Sequence, residues 1–481
     1  MVSKIIQKYK SIPVAAKCSL WFAFSSVFQK GISLITTPLF TRLLTTEQYG
    51  QFSVFQSWYQ IICIFATLNL SYGVFNNGMT KYPDDRDKYM SSMQGLSTVV
   101  TLLLFCVYLP FKDLINELTG LSTLLMVTIF AECLAVPAIS FWSARQRYEF
   151  KYIALLCVTV FNATVSPILG LIAVNLTEEK GIARILSAAL VNVCIGIFFY
   201  ILNIARGKKF FSKDYWIFAL KFNLPLIPHY LSSIILAQSD RVMIEKIVGG
   251  SAVAIYSVAH TFSLVMNIVT NSINSSFIPW TYHKLKEKNT DDLKSCATFL
   301  VIGVAVVSLL PVLVAPELMW IIAPSEYAEG VWVIPPISTS VYFMFLYCLF
   351  ANVEFYFERN KFVMVASVIA AVANIVLNAL FIPVFGYIAA GYTTFVCYLL
   401  YAVAHYVFMS KVCKEKLGIK SVYNDKLFVL ITVIYLICTA LAMCLYNLIV
   451  VRYAILLVAF AVVLIKREKV IEIVNNIKKK D

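Results

Sequence analysis

The sequence predicts an all-α polytopic membrane protein of about fourteen transmembrane helices with both termini in the cytoplasm, and three observations carry that expectation. Of 481 residues, 60% are apolar and only 14% charged, with a mean hydropathy of +0.79. No water-soluble domain covers its surface with so few charges. A hydrocarbon layer about 30 Å thick takes about 20 mostly apolar residues per helix. Windows of that length centre near residues 30, 64, 102, 131, 164, 194, 228, 265, 306, 343, 372, 399, 436 and 457.

The third observation is where the basic residues fall. With the N-terminus inside, the cytoplasmic segments are 1–13, 78–90, 143–151, 205–215, 281–294, 358–361, 411–426 and 466–481. They hold 30 of the 40 Lys and Arg residues, and the outer segments hold 7. Basic residues flanking spans set orientation, so the net charge of +14 is a topology signal, and no nucleic-acid partner is expected. The tail "KREKVIEIVNNIKKK" reads as a solvated cytoplasmic segment or as a weakly amphipathic helix on anionic lipid. The basic start resembles a signal-peptide n-region, but the apolar run behind it is nearly 30 residues long and reads as a first span.

The twelve Cys residues are scattered singly, and His229, His260, His283 and His405 are never grouped as a metal site requires. No metal or cofactor is expected. No soluble domain interrupts the spans, which weighs against membrane enzymes that need external catalytic loops. Two echoes suggest duplicated halves. "TTEQYGQFSVFQ" resembles "GSAVAIYSVAH", aligning Phe52-Ser53-Val54 with Tyr256-Ser257-Val258, and span 5 resembles span 11. Repeated halves with a site between them are a common transporter plan.

Polar residues interrupt three spans in a patterned way. In span 1, Lys30 sits about a dozen residues inside apolar sequence, where a charge costs roughly 2.5–3.5 kcal/mol. At about 100° per residue, Ser26, Lys30, Ser33, Thr37 and Thr41 share one narrow face. Pro38 frees the carbonyl of Leu34. In span 8, Tyr256, His260, Ser263, Asn267, Asn271 and Asn274 form a ladder. Span 7 gathers Lys221, Ser232 and Ser239, is kinked by Pro225 and Pro228, and ends in Asp240-Arg241.

Such stripes either glue helices together or line a water-filled cavity. The Ser and Thr positions fit both; Lys30 and the Asn ladder favour the cavity. Glu132 and Glu354 are candidates for an opposing charge, in local ion pairs or in a coupling role. Cationic, amide and hydroxyl groups together suit a ligand bearing phosphate and sugar hydroxyls.

Three stretches then carry a family resemblance: "PLFTRLLTTEQYG" (Pro38 to Gly50), "NLPLIPHYL" followed by "SDRVMI" (Asn223 to Ile244), and "NIVLNALFIPVFGYIAAGYTT" (Asn374 to Thr394). In order and helix count, nearly the whole chain resembles the polysaccharide-biosynthesis flippases of the multidrug/oligosaccharidyl-lipid/polysaccharide exporter superfamily. These are the bacterial transporters of undecaprenyl-diphosphate-linked O-antigen, capsule or exopolysaccharide repeat units. Two departures stand out. Gly386-Tyr387-Ile388-Ala389-Ala390-Gly391 replaces the frequent Gly-x-x-Gly-Ala-Ala, and Ala254 stands where a Gly often precedes the Tyr of span 8.

The resemblance implies a transporter of the bacterial inner membrane and no enzyme, working by alternating access. Its lobes would be residues 1–208 (spans 1–6) and 209–412 (spans 7–12), followed by two additional spans and the basic tail in 413–481. The family's cationic cavity maps onto Lys30 and Arg42 by place in span 1. Lys30, with Lys221 or Arg42, is expected to attract the diphosphate. Ser33, Thr37, Asn267 and Asn271 would meet sugar hydroxyls, with Tyr256 and His260 on the same wall. Asp240, Glu132 and His260 are the titratable candidates for coupling to a proton or sodium gradient. The expected partners are the undecaprenyl-diphosphate-linked glycan, membrane lipids and a polysaccharide polymerase. Three alternatives stay open: a multidrug extruder, a peptidoglycan-precursor flippase, and a membrane-embedded polymerase or ligase.

Overall fold

The computed structural model describes residues 14–454 and residue 457. The N-terminal segment 1–13, most of the span expected near 457, and the basic tail lie outside the described residues. Every regular element among the described residues is helical. In chain order they are α1 (Val14–Leu43), α2 (Thr46–Thr67), α3 (Gly73–Lys81), α4 (Arg86–Tyr108), α5 (Lys112–Thr119), α6 (Thr123–Tyr148), α7 (Tyr152–Leu176), α8 (Lys180–Gly207) and α9 (Lys213–Asn223). There follow α10 (Ile227–Ile247), α11 (Gly250–Lys286), α12 (Thr290–Leu313), α13 (Ala315–Ile322), α14 (Ile334–Tyr356), α15 (Asn360–Phe385), α16 (Ile388–Leu417) and α17 (Asp425–Cys444). The all-α polytopic expectation holds, and all the expected span centres from residue 30 to residue 436 fall on these helices.

Among the described residues nine segments are long and apolar enough to cross a membrane, and α11 makes a tenth if its two halves are one span. The long helices α1, α2 and α10 are not among them. Ser, Thr, Gln and charged side chains dilute their apolar faces, and α1 and α10 are two of the helices whose polar stripes stood out in the sequence. Span 7 is broken where its prolines predict a kink: α9 ends at Asn223, a 3₁₀ turn covers Leu224–Leu226, and α10 begins at Ile227. The amide of Asn223 holds that break by donating to the carbonyl of Leu68, itself in the left-handed region at φ 51°.

The helices pack as two compact units. One comprises Met1–Ser257 with Asn378–Tyr387. Within it α8 packs on α6, α7 and α4, α1 on α7, and α2 on α10. Lipid is as apolar as leucine, so close backbone approach has to supply the attraction between helices. Gly196 accordingly lies against the backbone of Ala135, and Gly207 against Asp87 and Ser91. Gly50 on α2 meets the backbone of Gly250 at the start of α11 so closely that position 50 has no room for a Cβ, while a Cβ at 250 would press on the Glu47 carboxylate. Beside them Ser251 Oγ lies 2.8 Å from Thr46 Oγ1 and donates to Glu47 at 3.4 Å.

The other unit comprises Val258–Leu377 and Ile388–Asp481. Its centre is the pairing of α14 with α16, flanked by α12 and α17. Phe345, Leu349, Val353, Met409 and Tyr435 fill it. Tyr423 donates to the carbonyl of Leu349 at 2.9 Å, and the buried Arg452 pairs with Glu317 on α13.

Candidate functional site

On α1 Ser26, Thr36, Thr37 and Thr41 donate their hydroxyls to carbonyls of their own helix. Thr37 and Thr36 donate to the carbonyl of Ser33 at 2.8 and 3.2 Å, Ser26 to Phe22, and Thr41 to Pro38. Lys30 differs: half-buried, it makes no ion pair or hydrogen bond among the described residues. Arg42, exposed at the end of the helix, donates to the carbonyl of Pro38 at 2.9 Å. Twelve residues separate Lys30 from Arg42, about 18 Å along the helix, so the two cannot grip one phosphate.

Lys221 sits on α9 in a cleft of about 540 Å³ that it shares with Lys81, Asp214, Tyr82 and Phe218. The ammonium of Lys81 lies 4.3 Å from the centre of the Phe218 ring. Lys30 does not line this cleft.

Asp240, only 2% exposed on α10, accepts from the hydroxyl of Tyr256 at 2.5 Å and from the amide of Asn378 at 2.7 Å. Tyr256, expected on the cavity wall, is fully buried and has its hydroxyl on this carboxylate. The neighbouring Arg241 donates to Ser257 at 3.1 Å and to the carbonyl of Ala237 at 3.0 Å. A polar seam continues between α10 and α2, where Gln238 accepts from Ser57 and donates to Gln60, both at 3.1 Å.

The amide ladder of α11 divides by use. Asn274 accepts from Asn352 of α14 at 2.8 Å and ties two helices together. Asn271 is exposed, and the half-buried Asn267 has a side-chain oxygen without a partner among the described residues. His260 is half-buried and does not stand alone. The side chain of Ser263 lies outside the described residues.

Neither acidic candidate answers Lys30. Glu132, 2% exposed on α6, accepts from Asn192 of α8 at 2.8 Å, and Asn192 in turn accepts from Asn162 of α7 at 3.2 Å. Glu354 on α14 pairs with His405 on α16. The sequence reading missed Asn192 and Asn378 as partners of buried carboxylates, and Asn162 as the donor to Asn192. Their signal was present but faint: single amides inside otherwise apolar spans, where each has to find a polar neighbour.

Long apolar helices with their charged and amide groups gathered into lines define the class, a multi-pass membrane protein. Residues 15–285, more than half of the chain, match the family described as polysaccharide biosynthesis protein, and the chain belongs to that family. It is 25% identical over 379 residues to "Lsg locus putative protein 1" of Haemophilus influenzae, covering 74% of this chain and 88% of that one. An "Uncharacterized membrane protein" of the same organism is 22% identical over 372 residues, covering 74% and 87%.

Among solved structures, the lipid II flippase MurJ in an inward closed conformation superposes with a TM-score of 0.69 at 15% identity, covering 95% of this chain and all of that one. An inward-facing multidrug resistance MATE family transporter of the MOP superfamily gives 0.60 at 12% identity, covering 81% and 96%. The fold is therefore the one these solved proteins share.

Proposed function

We infer that the chain moves undecaprenyl-diphosphate-linked oligosaccharide repeat units from the cytoplasmic to the outer leaflet of the bacterial inner membrane, by alternating access, for surface polysaccharide biosynthesis. The observation that carries this reading is the half-buried ammonium of Lys30, which has no carboxylate or carbonyl partner among the described residues. A buried charge left unpaired is costly, and a lipid diphosphate supplies the missing anion. Asn267 and Asn271, with Ser33 and Thr37, offer amides and hydroxyls for sugar. In this reading residues 1–208 and 209–412 act as the two lobes, with 413–481 appended.

Lys221, with Lys81 and the aromatic floor of its cleft, suits first capture of a phosphate at the cytoplasmic face. Arg42 is too far along α1 to share the anion held by Lys30, and would act at another stage of the passage. Asp240, Glu132 and His260 remain the coupling candidates for a proton or sodium gradient. An interior-negative potential contributes about 2.3 kcal/mol per charge per 100 mV to outward movement of the anion, so coupling acts chiefly on return of the empty carrier. Tyr256 serves the site by holding Asp240. A polysaccharide polymerase is the natural recipient of the product.

The test is reconstitution. Vesicles carrying the wild-type protein should translocate a fluorescent undecaprenyl-diphosphate oligosaccharide, and Lys30→Ala should slow it at least tenfold; an unchanged rate sinks the reading. A deletion strain should lose surface polysaccharide and keep its drug susceptibility, whereas the reverse pattern would favour a multidrug extruder.

A further inference from the structure

The second unit contains an ionisable pair that the reading above does not use. Glu354 and His405 are both 0% exposed. Nδ1 of His405 lies 2.9 and 3.0 Å from the two carboxylate oxygens. Its other ring nitrogen, Nε2, is buried without a partner among the described residues. Three rings surround the imidazole: Tyr401 with its centroid at 4.6 Å, Phe362 at 5.5 Å and Tyr347 at 5.6 Å. A carboxylate on one side and aromatic rings on the others enclose the imidazole.

We propose that Glu354 and His405 form a proton-binding site, with Nε2 of His405 as the atom that takes up the proton. Proton counting leads there. With Nδ1–H donating to the carboxylate and Nε2 bare, the pair carries one negative charge in a fully buried site. A proton from hydronium, arriving at Nε2 and leaving water behind, turns the pair into a carboxylate–imidazolium ion pair with no net charge. Nδ1 is already engaged, so Nε2 is the atom left to receive it. The new N–H then needs an acceptor, and a buried donor left unmet costs about 1–3 kcal/mol. Protonation therefore favours any movement that brings water or a carbonyl to Nε2, which couples the proton to the packing of α14 on α16.

The surroundings leave few competitors. Tyr347 and Cys348 face the site from α14, and Tyr398 and Tyr401 from α16. From α15 comes the apolar ring of Phe362. The charged residues of α12 and α17 lie in their first turns: Lys294 pairs with Asp291, Asp292 with Lys284, and Asp425 accepts from Tyr406. Glu354 occupies the last turn of α14, and the next turn brings the ion pair of Arg359 with Glu415. A proton thus has to cross little more than one helical turn from the end that the basic residues assign to the cytoplasm.

This deepens the transporter reading, and its test separates the two. Substrate-free protein in lipid nanodiscs is shifted from about pH 8 to about pH 5, the range in which histidine charges, and proton uptake is read with a dye. Glu354→Gln and His405→Gln should each take up about one proton fewer per chain than wild type; equal uptake overturns the proposal. Should either variant fail to fold, infrared difference spectra of the wild type decide: imidazolium must form without loss of the carboxylate bands, and its absence overturns the proposal as well. In vesicles, the pH dependence of lipid-sugar flipping should flatten in both variants. If wild type shows proton uptake but moves no lipid-linked sugar, the flippase reading fails and the proton site stands.

Discussion

Asn378 donates its side-chain amide to the carboxylate of Asp240 across 2.7 Å, and with the hydroxyl of Tyr256 it joins α10, α11 and α15 at one buried acidic group. Asn378 stands 138 residues from Asp240 in the sequence, and both lie in stretches that carry the family resemblance. Removing one donor from a buried carboxylate leaves the charge under-solvated. Asn378→Ala should lower stability by about 1–3 kcal/mol, read as a drop in the unfolding midpoint in detergent. Asp240→Asn, which removes the charge and keeps the shape, should cost less than Asn378→Ala.

Lys30 should behave in the opposite way. It has no partner among the described residues to lose, and its insertion costs roughly 2.5–3.5 kcal/mol. Lys30→Ala should leave the unfolding midpoint unchanged or raised while flipping falls about 10- to 100-fold, the equivalent of losing one charged hydrogen bond of about 1.5–3 kcal/mol. Lys30→Arg should retain most of the rate. A midpoint that falls in step with the rate would mark Lys30 as a structural residue.

Outside the membrane, Glu149 gives a pH signature. Burial opposes its ionisation, but Lys151 Nζ at 2.6 Å and Arg145 Nε at 2.8 Å outweigh that, and its pKa lies below the ordinary 4.5. A carboxyl with a depressed folded-state pKa stabilises fully above its unfolded value and loses that contribution as pH falls through the folded one. Glu149→Gln should therefore lower the unfolding midpoint at neutral pH. The difference from wild type should close only as pH falls through the depressed folded-state value, below the ordinary carboxylate range, where the Glu149 carboxyl is protonated.

The Gly50 and Gly250 contact predicts a steric defect. A methyl group at either position would enter the partner's backbone or the Glu47 carboxylate. Gly50→Ala should destabilise by about 1–3 kcal/mol, the usual cost of overpacking, and Gly31→Ala, with open space around it, should have little effect.

Much of this architecture is legible along the chain. Hydropathy windows place the spans, Pro225 and Pro228 place the break before α10, and a helical wheel sets Lys30 on its polar face. A wheel gives each helix a face but not a neighbour, and so the pairings stayed hidden. Glu132 seemed available to Lys30 until α8 brought Asn192 to it, and Glu354 seemed available until α16 brought His405. The short helices α3, α5, α9 and α13 also escaped, because eight to eleven residues are too few for a window sized to a bilayer. Arg42 was grouped with Lys30 by its place in span 1 and Lys221 by its charge within span 7; helix rise sets Arg42 about 18 Å along α1 from Lys30, and Lys221 lines a cleft on α9 that Lys30 does not.

The offset that aligns Phe52 with Tyr256 also aligns Glu47 with Ser251, and these two positions touch at 3.4 Å. An exact twofold repeat of that contact would set a glutamate against a glutamate or a serine against a serine, and two facing glutamates would repel one another. A hydroxyl meets a carboxylate there instead, so the two echoing positions are complementary because they differ.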